Sequence, residues 1–296
     1  MTKVPKKDIT LIEIVKGFAI RENCIAGLCD ATPLTHHDEG FTPFVSRNPL
    51  KRTDPAANLP GAKSIIVVGV ESKFDTFPPM PEGAGILSAM GAVQDYHVVI
   101  KALLKRLADE LQQHTNFTCK ILVDSPNLDE RAVAVRAGMG FLGRNGLVIS
   151  PEYGSRFNIG LLLTDIPFTN YEQASCVNHA RPGFKCSPKC RRCINACPTG
   201  ALSYPEGYDV TRCISYLTQK DDLTQEEAAL MGRHLYGCDV CQNACPFNRP
   251  QPQAWAMPEG WLSMSDAEFA KTYGHTTILW RGTALLRRNA KAMISM

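Results

Sequence analysis

The sequence has no stretch long and apolar enough to cross a membrane. Its longest aliphatic runs, Ser64 to Val70 and Ile159 to Thr164, fall far short of the roughly 20 residues a spanning helix needs. No secretory leader is expected from its first residues. Met1 to Lys7 carries three lysines, but Glu13, Lys16, Arg21 and Glu22 interrupt the adjoining stretch before any continuous apolar segment can form. Charge of one sign is also scarce: 32 Lys and Arg stand against 29 Asp and Glu, and a net charge of +3 is too mild to announce nucleic-acid binding by itself. What remains is a 296-residue chain, 44% hydrophobic and 21% charged, as expected of a soluble cytoplasmic protein of one large or two ordinary domains. A core of that size needs no disulfide staples.

Cysteine is the exception to this ordinariness. Of 12 cysteines, eight fall between Cys186 and Cys245, a concentration that reads as a metal or cluster module in a reducing compartment. The order is Cys186-x3-Cys190-x2-Cys193-x3-Cys197-Pro198, a lone Cys213, then Cys238-x2-Cys241-x3-Cys245-Pro246. In the bacterial ferredoxin run, three close cysteines hold one 4Fe-4S cluster and a fourth, before proline, reaches the other. Applied here, Cys186, Cys190, Cys193 and Cys245 hold one cluster, and Cys197, Cys213, Cys238 and Cys241 hold the second. The first gap is one residue longer than the usual two, which leaves Cys176 as an alternative to Cys186. A zinc ribbon would use four ligands and give no reason for two Cys-Pro endings. Cys24, Cys29 and Cys119 read as small buried apolar residues.

Before this module, residues 8 to 27 carry apolar side chains at helical intervals, and Asp95 to Gln113 repeats them every three or four residues, so both are expected helices. Asp129 to Ala137 reads as a short helix. Ser64 to Val70, Lys120 to Asp124, Leu147 to Ser150 and Asn158 to Asp165 read as strands, which makes the region an α/β or α+β domain. Gly138-Met-Gly140-Phe-Leu-Gly143 matches the dinucleotide fingerprint letter for letter, but with a helix before it and a strand after it the context is reversed. The expectation is a glycine-rich turn that lets backbone pass close to another surface.

Several motifs recur in order along the chain: Phe44-Val-Ser-Arg47, Asn58-Leu-Pro-Gly-Ala-Lys63, Asp95-Tyr96-His97, Val123-Asp124-Ser125 with Glu130-Arg131, Ala137-Gly-Met-Gly140, Gly154-Ser155, Cys213-Ile-Ser-Tyr-Leu-Thr218 and Tyr236-Gly-Cys238-Asp239. With them the chain resembles the cobalamin-dependent epoxyqueuosine reductases over nearly its whole length. The resemblance implies an α/β (α+β) cobalamin-binding and substrate domain over 1–174, a ferredoxin-like module with two 4Fe-4S clusters over 175–250, and a short helical tail over 251–296. It implies reduction of the epoxide of epoxyqueuosine to queuosine in tRNA. Asp124 is implied as the proton donor and a cofactor contact, and Arg47, Ser155, Ser215 and Asp239 as further corrin contacts. A carboxyl at the end of an apolar strand, shielded by a large cofactor, is expected to have a raised pKa; the alternative is a cap on the helix that begins near Asp129.

The chain departs from the family pattern in places. Val93-Gln94 precedes Asp95 where Gly-Arg is usual, Arg144-Asn145 stands where Lys-His is usual, and the family's C-terminal helical repeat has no counterpart before Met296. Basic residues of the tail, Arg281, Arg287, Arg288 and Lys291, and the segment from Arg181 to Arg192 are expected tRNA contacts. A flavodoxin or ferredoxin is the expected electron donor, and the chain is expected to be a monomer. Two other readings stand beside this one: a corrinoid iron-sulfur reductase of a small molecule, similar to reductive dehalogenases, and a non-catalytic dicluster electron-transfer protein.

Overall fold

The computed structural model describes residues 11–35, 43–72, 77–168, 184–203, 207–249 and 251–295. In the first half, α1 (Leu11–Arg21) is followed by β1 (Ile25–Asp30), α2 (Pro49–Thr53), β2 (Ser64–Glu71), β3 (Gly85–Leu87) and α3 (Tyr96–Gln112). Next come β4 (Cys119–Val123), α4 (Glu130–Arg136), the hairpin of β5 (Phe141–Leu142) and β6 (Val148–Ile149), and β7 (Phe157–Thr164). The second half contains α5 (Arg192–Ala196), β8 (Leu202–Ser203), β9 (Gly207–Tyr208), α6 (Ile214–Leu217), α7 (Gln225–Met231), β10 (His234–Tyr236) and α8 (Val240–Asn243). It closes with β11 (Ala254–Ala256), α9 (Pro258–Ser263), α10 (Asp266–Tyr273) and α11 (Thr283–Ile294).

A four-stranded, wholly antiparallel sheet in the order β1-β2-β7-β4 organises the first half. Its central strands are covered on both faces, so they read as unbroken apolar runs rather than alternating ones. Ile66, Val68 and Leu162 pack against Ile100, Leu104 and Leu107 of α3, while Ile65, Val67 and Leu161 pack against Val133 and Ala134 of α4. The helix expected over 8–27 is corrected here. Asn23 adopts φ 51°, Cys24 N–H donates to Ala19 O (3.0 Å) and Asn23 N–H to Ile20 O (3.2 Å). This Schellman-type ending, with asparagine in the left-handed position, stops α1 and frees Ile25–Asp30 to pair with β2. Cys24 and Cys29 are buried as expected, whereas Cys119 is only half-buried, on an edge strand.

The glycine-rich turn behaves as its reversed context implied. A Cβ on Gly140 would lie 2.0 Å from the carbonyl oxygen of Ile149, so the surface it approaches is the chain's own β6.

A second sheet, β10-β3-β11, pairs β3 parallel with β10 and antiparallel with β11. It takes one strand from each of the three expected segments. Trp261, Phe269, Leu286 and Ala290 cover it, and the fully buried Asn289 donates from Nδ2 to the carbonyls of Thr218 and Leu235, both at 2.8 Å. The tail is thereby fastened to both the sheet and the end of α6.

Candidate active site and cluster cavities

Eight thiols gather in two sets of four. Cys186, Cys190, Cys193 and Cys245 line one cavity together with Arg144, Asn145 and Phe247. Cys197, Cys213, Cys238 and Cys241 line a second, of about 200 Å³, with Asn145, Tyr208, Ser215 and Gln242. This is the partition that the ferredoxin spacing rule implies. Cys186 stands in the first set; Cys176 lies outside the described residues. All eight are free thiols. Burial, with the neighbouring thiols adding to it, pushes Cys238 and Cys241 up to about 12. Four thiols facing one cavity are a soft donor set that suits thiolate-bound iron.

Asp124 follows the last residue of β4, and its φ of 47° turns the carboxylate away from the sheet. Its side chain is 68% exposed, so the carboxylate is open to solvent beside Tyr96 and His97. Tyr96, the first residue of α3, donates its hydroxyl to Asp124 Oδ2 at 2.8 Å. His97 lies stacked on Tyr96 at 4.2 Å between ring centres, with Nδ1 2.8 Å from Asp95 Oδ1 and Nε2 3.6 Å from Asp124 Oδ2. The 3.6 Å separation is that of an ion pair rather than a formed hydrogen bond. Asp95 also caps α3 through His97 N–H (2.8 Å), which locks the two aromatic residues at the helix start.

The expected rise in the Asp124 pKa is corrected. The polar contact with His97, reinforced by the Tyr96 hydroxyl, holds the carboxyl below its ordinary value and outweighs burial, while the contact with Asp124 holds His97 above its own. Both shifts favour the ion pair, the proton on His97 and the charge on Asp124. Nor is Asp124 a helix cap, because Asp129 takes that role by accepting Ala132 N–H at 3.2 Å.

Glu130 escaped the sequence reading as a site residue. From the first turn of α4 it reaches back to accept Asp124 N–H (3.0 Å) and Ser125 N–H (2.8 Å), gripping the left-handed turn that presents Asp124. Burial, helped by the nearby Asp124 charge, pushes its carboxyl up to about 8. Its sequence signals were its place in the Glu130-Arg131 motif and a carboxylate six residues after an aspartate at a strand end.

The other expected contacts divide. Arg47 is exposed on the loop whose Ser46 N–H donates to Pro126 O (2.7 Å), next to the Asp124 turn. Phe44 of that loop packs edge-on against Trp280 (5.2 Å) and near Tyr216 (5.8 Å), tying the loop to α6. Ser215 lines the second cysteine cavity. Ser155 and Asp239, in contrast, are buried and engaged by protein. Ser155 Oγ donates to Gln242 Oε1 (3.0 Å) and accepts from Asn248 Nδ2 (2.9 Å). Asp239 accepts Ala89 N–H (2.6 Å) and lies 3.6 Å from Arg156 Nη1. Burial pushes the phenol of Tyr236 up to about 12, with a smaller contribution from Asp124, and Cys238 follows two residues later.

Three arginines of the basic tail are engaged by protein, while Lys291 is exposed. Arg281 pairs with Asp221, Arg287 with Asp266 (2.7 Å), and Arg288 donates to the carbonyls of Lys220 and Asp221.

Fold and thiol sets together define a two-cluster iron-sulfur protein on an antiparallel α+β lobe. Residues 185–248 match the 4Fe-4S double cluster binding domain, and residues 52–125 match the family described as epoxyqueuosine reductase QueG, DUF1730. The epoxyqueuosine reductase of Staphylococcus aureus is 35% identical over 273 residues, covering 86% of this chain and 70% of that protein. That of Bacillus subtilis is 36% identical over 258 residues, covering 81% of this chain and 64% of the relative's length. A crystal structure of epoxyqueuosine reductase with an epoxyqueuosine-modified tRNA-Tyr stem loop superimposes with a TM-score of 0.81 at 31% identity, covering 96% of this chain and 80% of that one. The chain belongs to the epoxyqueuosine reductase family. No helix among the described residues is long and apolar enough to cross a membrane.

Proposed function

We propose that this chain is a cobalamin-dependent iron-sulfur reductase that converts the epoxide of epoxyqueuosine in tRNA to the alkene of queuosine. The observation that carries the reading is the exposed Asp124, Tyr96 and His97 constellation at the end of β4 in a chain that also gathers two sets of four thiols. Opening an epoxide to an alkene consumes two electrons and two protons and releases the oxygen as water. Cys186, Cys190, Cys193 and Cys245 would hold one cluster, and Cys197, Cys213, Cys238 and Cys241 the other, each passing single electrons inward from a flavodoxin or ferredoxin. A 200 Å³ cavity suits a cluster and is too small for a corrin; cobalamin would sit instead beside the exposed Asp124, with Arg47 and Ser215 at its margin. Bound there, cobalamin supplies the low-valent cobalt that delivers electrons to the substrate.

The chain's own residues handle the protons. Asp124, held forward by Glu130, stands where the leaving oxygen needs a hydrogen-bond partner, and His97 supplies the proton that Asp124 relays. Tyr96 fixes the carboxylate's orientation through its 2.8 Å hydrogen bond. Residues 1–174 thus serve as corrin and substrate domain, 175–250 as electron relay, and 251–296 as the tail that fastens the two.

The test is anaerobic reconstitution with iron, sulfide and cobalamin, then incubation with reductant and epoxyqueuosine-containing tRNA. Loss of one oxygen atom from the modified nucleoside is expected. A fully loaded protein that leaves the tRNA unchanged but reduces a free epoxide would assign the site to a small molecule. Electron transfer without any cobalamin binding would reduce the chain to a dicluster carrier.

A further inference from the structure

The turn between β5 and β6, Gly143-Arg-Asn-Gly146, is pushed between the two cysteine sets. Among the described residues, Asn145 is the one that lines both cavities. It is 7% exposed. Its Oδ1 accepts Leu147 N–H at 3.3 Å, and because a backbone N–H can only donate, that contact fixes which end of the amide is oxygen. The Nδ2 group is then committed to the other side, where it has no acceptor among the described residues. Native interiors rarely leave a buried donor unmet, and such a group calls for an explanation. The turn is also braced: Arg144 donates to the carbonyls of Cys190 (3.0 Å) and Pro188 (3.1 Å), so Asn145 cannot swing out without disturbing the first cysteine loop.

We infer that the side-chain amide of Asn145 donates an N–H···S hydrogen bond to a cluster sulfur at the junction of the two cavities and so sets the reduction potential of that cluster. The inference rests on the two-cluster reading. Sulfide and thiolate sulfurs are the acceptors that two sets of four cysteines would bring to this point. A reduced cluster carries one more negative charge than an oxidised one, so a fixed donor stabilises it more and raises its potential; hydrogen bonds to sulfur are among the main controls of cluster potential. At the boundary between the sets, the amide biases the electron toward the cluster it touches. Asn145 is a positioning residue for the electron, not a ligand.

The experiment uses the full chain, reconstituted anaerobically, with redox titration followed by electron paramagnetic resonance. Asn145→Leu keeps the shape and removes the donor. Loaded with iron to the same content as the wild type, it is expected to show one of two midpoint potentials shifted negative by about tenfold in the reduction equilibrium, ~59 mV for a one-electron couple. Asn145→Asp, which puts an anionic acceptor in the same place, is expected to shift the same cluster further. In wild-type protein labelled with 15N at asparagine side chains, the reduced cluster is expected to show a 15N coupling that the leucine variant lacks. Unchanged potentials in a fully loaded leucine variant, or no asparagine 15N coupling in the wild type, would overturn the inference. Where a variant fails to take up iron, the wild-type coupling decides. Zinc in place of iron in the wild type would instead strike at the two-cluster reading itself.

Discussion

In the four-stranded lobe, Ile65 to Val68 of β2 and Leu161 to Leu163 of β7 are wholly buried beneath helices on both faces. Between residues 184 and 217 the longest helix has five residues, and none of the few buried apolar side chains there joins any of the three hydrophobic clusters. One region is held by what its strands exclude from water, the other by what its thiols bind. The chain therefore divides its stability unevenly, and the part with the least core of its own carries the redox chemistry.

The sharpest way to break that contrast is to remove the iron. In the apoprotein, amide exchange in α5 and α8 is expected to accelerate by ~10³-fold or more, with β2 and β7 keeping their protection. Loaded protein is expected to hold about eight irons per chain. Equal protection of both regions in the apoprotein would show that the module folds on its own.

Next in size is Asp124→Asn, which tests whether the lobe supplies the proton chemistry that the module's electrons require. Asp124 is exposed and nearly isosteric with asparagine, so melting temperature, iron content and cobalamin binding are expected to hold. Turnover is expected to fall by roughly 10²-fold or more, the scale of lost general acid-base catalysis. Lost cobalamin binding would make Asp124 a cofactor contact instead.

Arg288→Ala addresses the seam between tail and module. Its carbonyl contacts predict a loss of about 1–3 kcal/mol in stability. The salt dependence of tRNA binding is expected to stay as it was, since the guanidinium faces inward; a shallower slope would place it on a phosphate.

The smallest effect concerns Glu130. Its carboxyl holds a proton up to about 8 when folded, against an ordinary 4.5. Between those values the native state binds more protons than the unfolded one, so this group makes stability fall as pH rises through that window. Glu130→Gln is expected to flatten that part of a stability-pH profile and to lower turnover several-fold by loosening the Asp124 turn. A profile with the wild-type slope would remove the group from the titration.

Much of this contrast was legible in the residues. The β-branched run of β2, the apolar run of β7 and the periodicity of α3, with Asp95 at its cap, are local signals, and each element falls within a residue or so of its expected bounds. The two cysteine sets were legible because ligand spacing is a constraint on sequence itself. β1 was hidden inside a helical pattern because a single left-handed Asn23 ends α1. β3, β10 and β11 have three residues each and acquire meaning only through distant partners. The direction of the Asp124 shift depends on Tyr96 and His97, 28 and 27 positions earlier in the chain, and the burial of Ser155 and Asp239 on partners some 90 and 150 residues away. Glu130 and Asn145 were missed because one acts through backbone amides and the other through a donor with no acceptor among the described residues.

The second sheet also imposes a timetable. Gly85–Leu87 leaves the ribosome about 150 residues before β10, its parallel partner, has been made. At about 5–20 residues per second, that strand waits on the order of ten seconds or more with both edges open. The four-stranded lobe, complete once Thr164 has emerged, can close during this interval, but β3 stays a loose loop beside it until Ala256 arrives. The order of manufacture thus makes the second sheet a late product: Tyr236 cannot be set until most of the chain exists, so a polypeptide halted midway is a folded lobe without that sheet and without either set of four thiols.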